Sequence, residues 1–356
     1  MLNPENEKSD SSLLLQRYAS PSALELTILP TEQCPFRCFG CYEEFKLGKM
    51  EPELVEGVKN LIKARSEDLK QLYISWFGGE PLLAYDVVLD TMRYVKEICP
   101  SKGINFSSGM TTNGYLLTAD KLKELTELNV KFYQVAFDGD KEHHDKTRVR
   151  ADGKGTFDQI WSNMVAAHET NLPFEITLRI HVSKENAVGV EGFLEKIAQE
   201  LHKDDRFKVF IRPISRLGGP NDSKLPVLEG EGHLFANYGN GVIQKLRSKA
   251  LELGIITDTE KAETVCYASK LNSFVIRSNG ELSKCTVAFS DERNHIGRLL
   301  RDGTVEIDSE KVKWWARGLF SGDENQLACP LNAENRHTQN PTGEAQNNHY
   351  KVALKN

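Results

Sequence analysis

Cys34-Pro-Phe-Arg-Cys38-Phe-Gly-Cys41 is a C-x3-C-x2-C run that brings three thiolates within reach of one inorganic group. A structural zinc wants four ligands, commonly in paired C-x2-C spacings, and no fourth Cys or His lies near this loop. Thiolate-only ligation suits an iron–sulfur cluster, in which three protein ligands leave one of four irons open to a non-protein ligand. Zinc and unpaired structural thiols stand as the other readings of the same residues. Cys266, Cys285 and Cys329 form a second set in the last quarter of the chain. Cys99 stands alone at the end of a helical pattern and reads as a structural thiol. Seven cysteines, an odd number in a reducing compartment, argue for metal or redox chemistry over disulfides, and their distribution predicts two metal sites.

The elements that must position these residues follow from hydrophobic periodicity. An alternating strand over 23–29 delivers the chain directly to the first cysteines. Further strands are predicted over 72–77, 105–112, 132–137, 174–182 and 207–213, with helices over 52–67, 86–98, 119–128, 157–169 and 190–201 between them. Strands separated by helices must run parallel with right-handed crossovers, and six are too few to close an eight-stranded barrel. The fold class is therefore α/β, a partial (β/α)6 barrel of parallel strands. Its chemistry belongs at the carboxyl ends of the strands, where the unusual residues sit. After a Gly, Pro and Asp-rich stretch and a helix over 233–253, short strands joined by Asn279-Gly280 predict a hairpin and a small second domain. The expected boundaries are a polar leader over 1–22, the barrel over 23–215, a linker and helix over 216–260, the small cysteine-bearing domain over 261–332 and a flexible tail over 333–356.

Composition excludes several classes. The 356 residues are 39% hydrophobic and 27% charged, an ordinary composition for a folded α/β chain. With 45 basic against 51 acidic residues the net charge is −6, which offers no electrostatic footprint for nucleic acid or an anionic membrane. No apolar run approaches a membrane span and the leader is polar and acidic, so a cytoplasmic location is expected.

In the order Cys34 to Arg148 the residues resemble the radical S-adenosylmethionine (SAM) superfamily. The cysteine loop, followed by the aromatic Tyr42, is similar to that superfamily's cluster loop, and Gly78-Gly79-Glu80-Pro81 resembles its second-strand motif. Thr111-Thr112-Asn113-Gly114, and Asp138-Gly139 with His144-Asp145 and Arg148, resemble the third- and fourth-strand segments of the branch that includes peptide maturases and anaerobic sulfatase maturases. The resemblance implies a 4Fe–4S cluster on Cys34, Cys38 and Cys41, its open iron chelated by the amino and carboxylate groups of SAM. An electron from the reduced cluster would cleave SAM to methionine and a 5′-deoxyadenosyl radical that takes a hydrogen atom from the substrate. Tyr42, Gly78, Gly79, Glu80, Pro81, Thr112 and Asn113 are the SAM-binding candidates so implied, with Glu80 and the motif backbone at the SAM amino group. Gly78-Gly79 is what close approach of backbone to a ligand requires. Asp138, Arg148 and Arg179 are the catalytic candidates: Arg148 suits bidentate recognition of a carboxylate of SAM or substrate, and Arg179, inside the alternating Leu178-Arg179-Ile180-His181, would line the barrel cavity. Where relatives often carry Ser for a ribose hydrogen bond, this chain has Ala136.

Cys266-x13-Gly280-x4-Cys285 resembles the opening of the SPASM domain and of its shorter relative, the twitch domain, and of the remaining pattern only Cys329-Pro330 is present. One auxiliary 4Fe–4S cluster is implied, with an open or non-cysteine fourth position for which His295, His337 or the substrate are candidates. The expected activity is that of a radical SAM oxidoreductase and peptide maturase, oxidatively modifying and cross-linking a ribosomally synthesised peptide. Its partners would be the precursor peptide, a separate leader-binding protein and an electron donor such as flavodoxin or ferredoxin. The alternatives are dehydrogenation of a sugar or aminocyclitol, formylglycine formation as in anaerobic sulfatase maturation, and a zinc-binding scaffold without enzyme activity.

Overall fold

The computed structural model describes residues 13, 15–201, 203–228, 241–257, 265–331 and 333. Most of the leader, part of the helix expected over 233–253, His337 and the tail beyond 333 lie outside the described residues.

Six parallel strands form in the order expected: β1 (Ala23–Ile28), β2 (Gln71–Trp76), β3 (Asn105–Thr112), β4 (Val130–Phe137), β5 (Glu175–Val182) and β6 (Phe207–Pro213). Between them run α1 (Pro52–Arg65), α2 (Tyr85–Ser101), α3 (Ala119–Glu127), α4 (Lys141–Thr147), α5 (Phe157–His168) and α6 (Ala187–Glu200). Local chemistry sets the helix ends. Pro52 begins α1 where its missing N–H is no loss, Lys63 and Arg65 close the last turn, and the Thr118 side chain caps α3 by accepting from the Lys121 N–H. Strict alternation in β5 buries Ile176, Leu178, Ile180 and Val182 against the helices and turns Glu175, Thr177, Arg179 and His181 to the opposite face. The seven-residue α4 was not anticipated, since Lys-Glu-His-His-Asp-Lys-Thr has no apolar stripe; its buried residue is His144.

The hairpin signal at Asn279-Gly280 is realised differently from a free-standing module. After α7 (Val242–Glu252), β7 (Ser273–Ile276) lies parallel to β1, pairing Glu25 with Ser273 and Ile28 with Ile276. β8 (Glu281–Ser283), β9 (Gly297–Leu299) and β10 (Val305–Ile307) then add on antiparallel, so the described strands form one open ten-stranded sheet in the order β10-β9-β8-β7-β1-β2-β3-β4-β5-β6. The physical reason is the free edge of β1, an unpaired row of N–H and C=O groups that β7 satisfies. One hydrophobic core accordingly includes Leu26 and Ile28 together with Ile276, Leu282, Leu299 and Trp315. The short helices α8 (Ser309–Trp315), α9 (Arg317–Ser321) and α10 (Glu324–Ala328) carry the chain to Cys329.

Candidate active site

The first cysteine loop leaves the carboxyl end of β1 and is held along its length. Segment 147–151, which follows α4, runs antiparallel to it: Arg37 N–H donates to the Val149 carbonyl, Phe39 N–H to that of Thr147, and Ala151 N–H to that of Pro35, each at 2.8 Å. At its base Gln33 Nε2 donates to the carbonyls of Phe45 (2.6 Å) and Leu47 (2.9 Å). Cys34 Sγ accepts from the Phe36 N–H (3.4 Å) and Asn113 Nδ2 (3.8 Å), the N–H to sulfur bonds that stabilise ligated thiolates. Burial pushes the Cys34 thiol up to about 12 and Cys41 up to about 11, and it raises Cys38 against the pull of Arg148. Empty, these groups are neutral thiols; a positively charged metal group in their midst displaces the protons. Among the described residues no three His, Cys, Asp or Glu side chains converge as the ligands of one metal ion do. The thiols of a four-iron cluster bind separate irons, and this donor set fits it.

Gly78-Gly79 has a packing role of its own in the structure. A Cβ on Gly78, whose φ is 109°, would stand 2.3 Å from the Thr31 carbonyl oxygen, and one on Gly79 2.4 Å from that of Gln33. The pair lets the end of β2 press against the residues leading into the cysteine loop, backbone on backbone. Glu80, fully buried, turns its carboxylate inward, where it accepts from Thr112 Oγ1 (2.7 Å), Asn113 N–H (2.7 Å) and Leu82 N–H (3.0 Å). Burial raises its pKa, and these three donors oppose the rise. Three of about four acceptor positions on the Glu80 carboxylate are thus filled, and Thr112 and Asn113 are drawn into the same staple between β2 and β3. Pro81, also buried, starts the turn that follows.

At the ends of β4 and β5, Asp138 gathers Thr147 Oγ1 (2.6 Å), His181 Nδ1 (3.2 Å) and Arg148 Nη1 (3.8 Å). Burial works to raise its pKa, but Arg148 and then His181 hold the carboxyl well below the usual range. Burial lowers His181 to about 4 despite Asp138, which leaves it neutral. Asn186 Nδ2 donates to the carbonyls of Asp138 (3.0 Å) and His181 (2.9 Å), tying the two strand ends together. Arg148 lies within electrostatic reach of Cys34, Cys38, Cys41 and Asp138, and its Nε is buried with no partner. Arg179 stands in register with Ala136, and its charge acts on Tyr42 and His181. Tyr42 is raised by burial first and then by Glu43, and it also feels Cys285 and Cys41, so it sits between the two cysteine sets. His181, Thr147, Asn186 and Glu43 are absent from the sequence-based candidates. Glu43, raised to about 7 by burial and by Glu32 against Arg277, has a buried Oε1 without a partner. Only His181 carried a signal, its two-residue offset from Arg179 on an alternating strand.

The second set lies within electrostatic reach of itself: burial raises Cys266 to about 12, with Cys285 and Cys329 adding to the rise. Asn294 clamps the middle one: its Oδ1 accepts from the Lys284 and Cys285 N–H groups, both at 2.9 Å, and its Nδ2 donates to the Cys285 carbonyl at 2.8 Å. Cys285 Sγ accepts from the Val287 N–H at 3.4 Å. Of the three candidates for the fourth position, His295 is engaged elsewhere in the structure: its Nδ1 pairs with Glu281 and its Nε2 faces the Phe289 carbonyl at 3.0 Å. Cys99 is fully buried in the core, as a structural thiol should be.

A mostly parallel open sheet with three thiols on the loop after β1 defines a class. Residues 28–197 match the model of the Radical SAM superfamily, so this stretch is a radical SAM domain. Enzymes of this superfamily use a 4Fe–4S cluster with SAM, and those of the SPASM branch carry auxiliary clusters. Among particular relatives, the cysteine-type anaerobic sulfatase-maturating enzyme of Clostridium novyi (strain NT) is 27% identical over 291 residues, 76% of this chain and 75% of that protein. The PqqA peptide cyclase of Gluconobacter oxydans (strain 621H) is 25% identical over 175 residues, 48% of this chain and 44% of its own. In fold the chain is similar to native anSMEcpe with bound AdoMet and Cp18Cys peptide, with a TM-score of 0.58 at 19% identity over 82% of this chain and 80% of that one. It is also similar to Streptococcus suis SuiB bound to precursor peptide SuiA, with a TM-score of 0.52 at 15% identity over 82% and 67%. Among the described residues no helix is long and apolar enough to cross a membrane.

Proposed function

We propose that the chain oxidatively modifies a ribosomally made peptide, with Cys34, Cys38 and Cys41 holding the 4Fe–4S cluster at which SAM binds. Cluster and SAM together would supply one electron and a 5′-deoxyadenosyl radical able to remove a hydrogen atom from an unactivated carbon. The observation that carries the assignment is Arg148, a buried guanidinium facing three thiols with Nε unpartnered. A donor left so costs about 1–3 kcal/mol or more, and the carboxylate of SAM would satisfy it in the bidentate manner guanidinium favours. Asp138, itself fixed by the Thr147 hydroxyl, pairs with that guanidinium, and neutral His181 donates to or accepts from a sugar hydroxyl where Ala136 cannot. The Gly78-to-Pro81 backbone, fixed by Glu80, Thr112 and Asn113, offers its carbonyls to the SAM amino group. Tyr42 and Arg179 close the space between this site and the second thiol set and keep water from it. Cys266, Cys285 and Cys329 hold an auxiliary cluster, an electron acceptor that makes the net reaction oxidative. The peptide choice is supported by relatives that take peptides, the PqqA peptide cyclase by name and SuiB with bound SuiA. Flavodoxin or ferredoxin would deliver the electrons.

Formylglycine formation is the second reading, favoured by the match to a sulfatase-maturating enzyme over three quarters of both chains. Anaerobically reconstituted protein, dithionite, SAM and the peptide encoded beside the coding sequence decide between them by mass spectrometry. Cross-linking removes two hydrogens and keeps every heavy atom, while conversion of Cys to formylglycine loses the sulfur. Replacing Cys34, Cys38 and Cys41 together with Ala should abolish 5′-deoxyadenosine; continued formation overturns the assignment. Cys285→Ala should leave SAM cleavage and remove the modified peptide.

A further inference from the structure

Beneath the Asp138 end of the barrel, on the same sheet face, lies a cavity of about 320 Å³ that no part of the SAM site explains. Its lining includes Ser75 of β2, Thr111 of β3, Gln134 of β4, and Glu175 and Thr177 of β5. Thr111, Gln134 and Thr177 stand in direct register across three neighbouring strands, a row of two hydroxyls with a carboxamide between them. Thr177 and His181 are four residues apart on one face, about 13 Å at strand rise, so about four residues of extended peptide bridge the row and the Asp138 end. Among the described residues none of the three makes a side-chain hydrogen bond within the protein.

The lining bears no net charge. Glu175 is neutralised by Lys208 at 2.5 Å, so an ionised ligand group would be desolvated without a counter-ion. A primary carboxamide meets the row group for group. It carries two N–H donors and two acceptor lone pairs; Gln134 can match one of each in a reciprocal amide pair, and the flanking threonine hydroxyls take the others. A hydroxyl would leave the Gln134 amide half satisfied.

We propose that this cavity is the substrate-recognition pocket and that it takes the carboxamide side chain of an Asn or Gln in the peptide, held by Thr111, Gln134 and Thr177. This rests on the peptide-modifying reading above. The test uses reconstituted full-length protein with SAM, and four probes titrated by ligand-observed NMR: the N-acetyl, N-methylamide derivatives of glutamine, glutamate and serine, and myo-inositol. The glutamine probe should bind at least about fivefold tighter than each of the others, the worth of one hydrogen bond. Gln134→Leu should weaken it by about the same factor, and so should Thr177→Val, which keeps shape and volume if the Leu variant fails to fold. Equal binding of the four probes, tighter binding of glutamate or inositol, or unchanged affinity in Thr177→Val overturns the proposal. Formation of 5′-deoxyadenosine by the unsubstituted protein is measured in parallel. Its absence removes the radical SAM site reading and leaves the probe comparison standing.

Discussion

A guanidinium keeps its charge whatever surrounds it, so Arg148, enclosed with three thiols and one carboxylate, needs anionic partners to offset its desolvation, which ties its fit to what the thiols hold. Arg148→Met should weaken SAM binding tenfold or more, about the worth of a charge-assisted pair, while Arg148→Lys should recover only part of it; equilibrium dialysis against the cluster-loaded protein reads both. Two histidines give the same region a pH signature. Burial lowers His144 and His181 from 6.5 to about 4. Between those values the unfolded chain takes up protons that the folded chain refuses, so stability is whole above pH about 6.5 and falls as pH drops toward 4. The cluster-free protein should therefore melt at a lower temperature at pH 5 than at pH 7, and His144→Asn should flatten that fall. The cysteines were legible because ligand spacing is local in sequence. Thr147 and Asn186 were not, because they meet Asp138 from separate elements and nothing in their own neighbourhoods marks it, while His181 was marked only by sharing the Arg179 face of β5.

Strands and helices carried their boundaries in the residues wherever apolar periodicity set them, as in β3 and β6, whose limits coincide with the expected ones. Segments built from hydrogen bonds were silent. The segment 147–151 against the cysteine loop and the Glu80 staple have no period to read, and both help position the loop. Two substitutions test that positioning. Gly79→Ala drives a methyl into the Gln33 carbonyl and should strip iron from the first loop while the second set keeps its own, roughly halving iron per chain if each set holds one cluster. Glu80→Gln turns an acceptor for three N–H and O–H donors into a group with two donors of its own, and denaturant unfolding should show a loss of about 2–3 kcal/mol.

Across the whole molecule the sequence separated two domains by texture, since composition changes at Cys266, but strand pairing between distant segments leaves no trace in composition. What joins the halves is in part electrostatic. Arg277, just past β7, grips the buried Glu32 at 2.8 and 3.0 Å and stacks on Phe289. Arg277→Met would leave that carboxylate buried alone and should lower stability by about 3 kcal/mol or more, with Glu32→Met in the same chain restoring much of it; equilibrium unfolding of the pair and the single variant measures the difference.

The pairing of β7 with β1 also orders events at the ribosome. Until residues 273–276 emerge, the nascent barrel has its helices and five of its strand contacts but exposes one raw side, and that side belongs to the strand that launches the cysteine loop. A chain stopped short of β7 should therefore aggregate more and carry less iron at Cys34, Cys38 and Cys41 than one that includes it, as iron analysis of the two expressed chains would read.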